Sequence, residues 1–82
     1  MELFETIQCP RCMQEKLIIS KNLISNNLYL YCCECFAAWP SPDDVKNPEK
    51  MFMDTSDEAA DPSYQDVKDA GWDKYVSNVI DV

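Results

Sequence analysis

Cys9-Pro10-Arg11-Cys12 and Cys32-Cys33-Glu34-Cys35 decide how this chain is read. Each is a C-x-x-C pair, and Met13 to Tyr31 separate them. A C-x-x-C turn brings two thiolates to one metal, and a hairpin of this length returns the second pair to complete a tetrahedron. The intervening sequence suits a hairpin. Lys16-Leu17-Ile18-Ile19-Ser20 and Leu28-Tyr29-Leu30-Tyr31 are rich in β-branched and aromatic residues. Asn22, Asn26 and Asn27 lie between them, and Asn tolerates the positive φ of tight turns. The pattern leaves the turn open between Lys21-Asn22 and Asn26-Asn27. It places Leu28 and Leu30 on one face, with Tyr29 and Tyr31 on the other.

Zinc suits four sulfurs, being borderline-soft and indifferent to ligand-field geometry. Four protein ligands leave no open position, so the expected role of the metal is structural. Structural zinc binding supplies roughly 10–16 kcal/mol in small peptides, against a net domain stability of about 5–15 kcal/mol. The metal is therefore expected to decide whether residues 1–40 fold. Iron in the same four thiolates, a thioredoxin-like redox pair at Cys9 and Cys12, and disulfides are the competing chemistries. The fifth cysteine, Cys33, has the wrong spacing to either neighbour and is expected to be a spare, packed thiol.

The pattern resembles a zinc ribbon, a hairpin-based metal fold with two cysteine knuckles. That resemblance covers Cys9 to Cys35, extending toward Trp39, and implies Cys9, Cys12, Cys32 and Cys35 as the ligand set. One departure stands out. Ribbon knuckles usually place Gly just after the second cysteine of each pair, and here Met13 and Phe36 hold those places. Each must tolerate an unusual backbone angle, or the knuckles turn differently.

The second half has another character. In residues 1–40 four acids against three bases leave −1; in residues 41–82 eleven against four leave −7. Trp39-Pro40 should end the sheet region, since proline cannot donate to a ladder. Ser41-Pro42-Asp43-Asp44 has the cap, first-turn proline and early acids of a helix start, and Pro48 keeps that helix short. Residues 49–60 are expected to be the least structured, with Met51, Phe52 and Met53 as candidates to tuck into a core. A second helix should start at Asp61-Pro62-Ser63, run from Tyr64 to Ala70 and stop at Gly71. Trp72, Tyr75, Val76, Val79 and Ile80 then form one apolar helical stripe, with a strand over Lys74 to Val79 as the alternative. The expected architecture is small α+β in a single domain, residues 1–82. A zinc-ribbon β-hairpin over 1–40 would be followed by short helices in an acidic, mainly helical extension over 41–82.

Composition excludes several functions. The 82 residues include no His, so an imidazole base, a Ser-His-Asp triad and a His metal ligand are ruled out. Gly71 is the one glycine, which excludes Gly-rich phosphate loops. The net charge of −8 disfavours phosphate binding, and a tetrathiolate zinc centre adds a formal −2. No apolar run is long enough for a membrane span, and Met1-Glu2-Leu3-Phe4-Glu5 is no secretory leader, so a cytoplasmic location is expected. With neither an open metal position nor a matched acid/base pair, no enzyme is expected.

The acidity points to a basic protein partner. Small acidic proteins that inhibit basic nucleases present carboxylates where the nuclease expects phosphates, and charge complementarity speeds the encounter. Small size, acidity, the C-P-x-C…C-x-x-C pattern and Gly71-Trp72 after an acidic helix also resemble bacterial immunity proteins of polymorphic or contact-dependent toxin systems. That resemblance implies an inhibitor of a toxin domain. Its candidate contact residues are Asp57, Glu58, Asp61, Asp66, Asp69 and Trp72. Asp66 and Asp69 lie three apart on the expected helix and so face the same way, while Asp61 is a candidate cap. The alternatives are a zinc-ribbon adaptor associated with nucleic-acid machinery and a rubredoxin-like electron carrier.

Overall fold

The computed structural model describes residues 2–53 and 59–81. The central hairpin pairs β2 (Lys16–Asn22) with β3 (Leu28–Tyr31), in the register Ile19↔Leu30 and Ser20↔Tyr29. Its turn closes across Asn22 and Asn27, whose main chains are bonded at 2.9 Å. Asn26 takes φ 60°, the left-handed angle Asn tolerates better than most residues.

Five more strands build on this pair. β1 (Glu2–Gln8) lies against β2, and β4 (Ala37–Trp39) against β3. β5 (Phe52–Met53) adds to β4, β6 (Ala59–Ala60) to the end of β2 at Lys21 and Asn22, and β7 (Asn78–Asp81) to β1. The result is one seven-stranded sheet in the order β5-β4-β3-β2-β1-β7, with β6 off that path, and every pairing is antiparallel.

Cross-strand register sorts the side chains. Ile19, Leu30 and Trp39 lie opposite one another and share the core face with Phe4, Leu17 and Ala37. Val45 and Val67 close over the same cluster, together with Cys9 and Cys32. Thr6 is buried with them, its hydroxyl donating to the Leu17 carbonyl at 2.9 Å. Ile18, Tyr31, Ala38 and Phe52 make a row on the opposite face. There the Tyr29 ring lies 6.3 Å from Tyr31 and 5.9 Å from Phe52. The alternation of leucines and tyrosines in β3 matches the expected division of faces.

The expected α+β class is corrected: the chain is mostly antiparallel sheet. Its one α-helix among the described residues, α1 (Tyr64–Asp69), has six residues. Pro42–Lys46, Pro48–Lys50 and Asp73–Tyr75 are short 3₁₀ turns. Helix starts read from the sequence do occur at Ser41-Pro42 and at Ser63, and Gly71 ends the second with φ 75°. What the sheet region does not do is stop at Trp39. Residues 41–81 supply β5, β6 and β7. Phe52 and Met53 are exposed strand residues and not core, while Met51 packs against the core cluster. The stripe from Trp72 to Ile80 is no helix. Trp72 and Val76 turn inward onto the core, and from Asn78 the chain extends along the free edge of β1. Ser77 leads it in, its amide donating to the Glu5 carbonyl at 2.8 Å. The edge of β1 carries unpaired main-chain donors and acceptors, and a strand satisfies them where a helix would not.

Candidate metal centre

Both cysteine pairs sit where a strand leaves the sheet and turns back. β1 gains one residue on β2 between the pairs Glu5↔Ile18 and Gln8↔Lys16, a bulge that bends the chain into Cys9. Cys9 N–H donates to the Glu15 carbonyl at 2.8 Å, and Met13 N–H donates to the Cys9 carbonyl at 3.0 Å. The second pair repeats the device. Cys32 N–H donates to the Ala37 carbonyl at 2.9 Å, and Phe36 N–H to the Cys32 carbonyl at 2.9 Å. Gln8 Nε2 adds a bond to the Met13 carbonyl. Met13 and Phe36 both have φ 60°. The knuckles thus keep the left-handed step that glycine usually makes, and two bulky L-residues bear its strain.

The β2–β3 hairpin brings the two knuckles together. The Sγ atoms of Cys9, Cys12, Cys32 and Cys35 all lie within 4.8 Å of one another. Cys9 Sγ is 3.8 Å from Cys35 Sγ, and Cys12 Sγ is 3.4 Å from Cys32 Sγ. A tetrahedron with metal–sulfur bonds of about 2.3 Å has edges of about 3.8 Å. The four sulfurs therefore fit a single tetrahedral metal ion, and no disulfide joins any of the five cysteines. Cys9 and Cys32 are buried, while Cys12 and Cys35 are half-buried. Cys33 is exposed and outside the cluster, so it is spare as expected but not packed.

The thiols differ electrostatically. Main-chain N–H of Gln14, helped by the Cys32 thiol, lowers Cys12 to about 7. Burial pushes Cys32 up to about 12. Cys33 is also raised, by desolvation of its sulfur and by the carboxylates of Glu15 and Glu34. A metal ion must displace the proton of Cys32 at any physiological pH, whereas Cys12 is already partly thiolate.

The acidic candidates scatter. Asp57 and Glu58 lie outside the described residues. Asp61 is half-buried and is not the helix cap; Ser63 is. Asp66 completes a capping box, accepting from Ser63 N–H at 3.2 Å, and its Oδ2 lies 3.4 Å from Lys21 Nζ. Its pKa is lowered, chiefly by the Ser63 N–H. Asp69 accepts from Gln65 Nε2 at 2.8 Å. Asp66 and Asp69 do border one hollow, and Trp72 borders the hollow beside it. Sequence patterning passed over Leu23 and Ile24, two aliphatic side chains that the hairpin turn exposes to solvent. Their position in an Asn-rich turn was the available signal.

Among the described residues no helix is long and apolar enough to cross a membrane. No protein-family model, curated protein or solved structure matches the chain.

Proposed function

We propose that this protein is a non-catalytic, zinc-stabilised binding protein whose acidic half engages a basic protein surface. In its most specific form it is an immunity protein that neutralises a bacterial toxin domain. The observation that carries the metal part is the four-sulfur cluster, whose 3.4 and 3.8 Å separations approach the edge of a zinc tetrathiolate. Four thiolates complete zinc's coordination, leaving no position for substrate or water, so the metal acts by holding strands together. Support for the partner comes from charge: −7 of the net −8 lies in residues 41–82.

One experiment tests both parts. The purified chain is assayed for bound metal, then for association with a basic nuclease toxin domain at low and high salt. One zinc per chain, and association that slows sharply as the Debye length falls from about 10 Å at 0.1 M to about 3 Å at 1 M, is the expected result. A visible absorption band from bound iron would favour the electron carrier. Salt-insensitive association, or none, would remove the basic partner.

A further inference from the structure

Away from the cysteines, two hollows lie side by side between the β2–β3 turn and the end of α1. The larger, about 410 Å³, is walled by Tyr29, Phe52 and Trp72. The smaller, about 280 Å³, is walled by Asp66, Asp69 and Lys21. Leu28 and Ala70 belong to both, so they form one cleft with an aromatic end and an acidic end.

The rim of this cleft is preorganised. Asn22 Oδ1 accepts from Ile24 N–H at 2.9 Å and from Ser25 N–H at 3.1 Å, and Ser25 Oγ accepts from Asn27 N–H at 3.3 Å. The turn so fixed exposes Leu23 at 55% and Ile24 at 75%. Apolar side chains on a turn already ordered lose little entropy when a partner covers them.

We infer that the cleft takes an arginine-bearing segment of a partner protein. The guanidinium sits at the acidic end, and an adjoining apolar side chain sits against the aromatic wall and the turn. Charge complementarity selects the cation. Asp66 and Lys21 neutralise each other, which leaves Asp69 as the unbalanced charge, with one oxygen held by Gln65. Arginine fits better than lysine, because its planar fork offers several donors to a carboxylate. This inference rests on the proposed basic partner and adds the place and the residue that it reads.

The test titrates the isotope-labelled, zinc-loaded chain with a capped Leu-Arg-Leu peptide and with its citrulline counterpart, which keeps the shape and loses the charge. Saturable amide shifts centred on Asn27, Leu28, Ala70 and Trp72 are expected with the arginine peptide. The citrulline peptide should bind up to about five-fold more weakly, and Asp69→Asn should weaken only the arginine peptide by a similar factor. Asp69 is exposed, and an unchanged amide spectrum elsewhere shows that the variant folds. Equal affinities for the two peptides, or shifts confined to residues 9–13 and 32–36, would overturn the cleft. If neither peptide binds but a basic protein still associates in a salt-sensitive way, the cleft is wrong and the basic partner stands. If the arginine peptide binds as described and no basic protein does, the cleft stands and the larger proposal falls.

Discussion

At Met13 and Phe36 a side chain stands where its backbone favours none. Both residues hold φ 60°, and both are exposed, so no buried packing offsets the strain. A left-handed L-residue costs roughly 1–2 kcal/mol, and glycine's extra chain entropy returns about 0.5–1 kcal/mol of that. Met13→Gly and Phe36→Gly should therefore each stabilise the zinc-loaded protein by up to about 1 kcal/mol, seen as a higher urea midpoint at unchanged slope. The cysteines differ more sharply. Cys12→Ser should abolish tight metal binding, whereas Cys33→Ser, on the surface outside the cluster, should shift stability by less than about 0.5 kcal/mol. Equal losses would mean that Cys33 is a ligand. Protons give a second check. Cys32, pushed up to about 12, arrives as a thiol and must release its proton to solvent when a metal binds, so affinity rises with pH and falls on acidification. Calorimetry in buffers of different ionisation enthalpy should show net proton release near pH 7, part of it from Cys12 at about 7. The four-cysteine cluster was legible because the C-x-x-C spacing is local. The missing glycines marked Met13 and Phe36 but left two outcomes open, an unusual angle or a different turn, and the structure takes the first.

Single elements were legible where their signals are short-range. The start of α1 at Asp61-Pro62-Ser63 and its stop at Gly71 were readable, although the cap is Ser63, in a reciprocal box with Asp66, and not the candidate Asp61. Ser63→Ala should cost about 0.5–2 kcal/mol by thermal melt. Asp66 adds a pH dependence of known sign. Its folded pKa is lowered from 3.8, so its contribution is complete above that value and is lost as pH falls below it. Asp66→Asn should flatten that acid limb. The segment from Trp72 to Ile80 was legible only as the alternative, a strand over Lys74 to Val79, which overlaps β7 at Asn78 and Val79. Five apolar residues at helical spacing fit a stripe, but Asn78–Asp81 is a strand because Glu2–Glu5 offers it an edge more than seventy residues earlier in the chain. Nothing local to the segment encodes that partner. β5 and β6 were missed for the same reason: two-residue strands are too short for any period and exist through the edges they meet.

At the scale of the whole molecule, the sheet changes what metal loss should do. Charge and cysteine content divide the chain near residue 40, and by that division the metal governs only the first half. The topology interleaves the halves instead. Among the described residues β7 pairs with β1 alone, β5 with β4 alone and β6 with β2 alone, so each C-terminal strand hangs on a strand adjoining a knuckle. Val67 of α1 is buried in the cluster that also contains Cys9 and Cys32. A metal supplying roughly 10–16 kcal/mol to a domain of about 5–15 kcal/mol net stability cannot be removed from one half alone under these pairings. Chelation should collapse amide protection in Asn78–Asp81 along with that in Lys16–Asn22, in one cooperative step by hydrogen exchange. If β7 and α1 instead keep their protection after the metal is gone, the acidic half has a stability of its own. The division at residue 40 would then describe the molecule better than its sheet does.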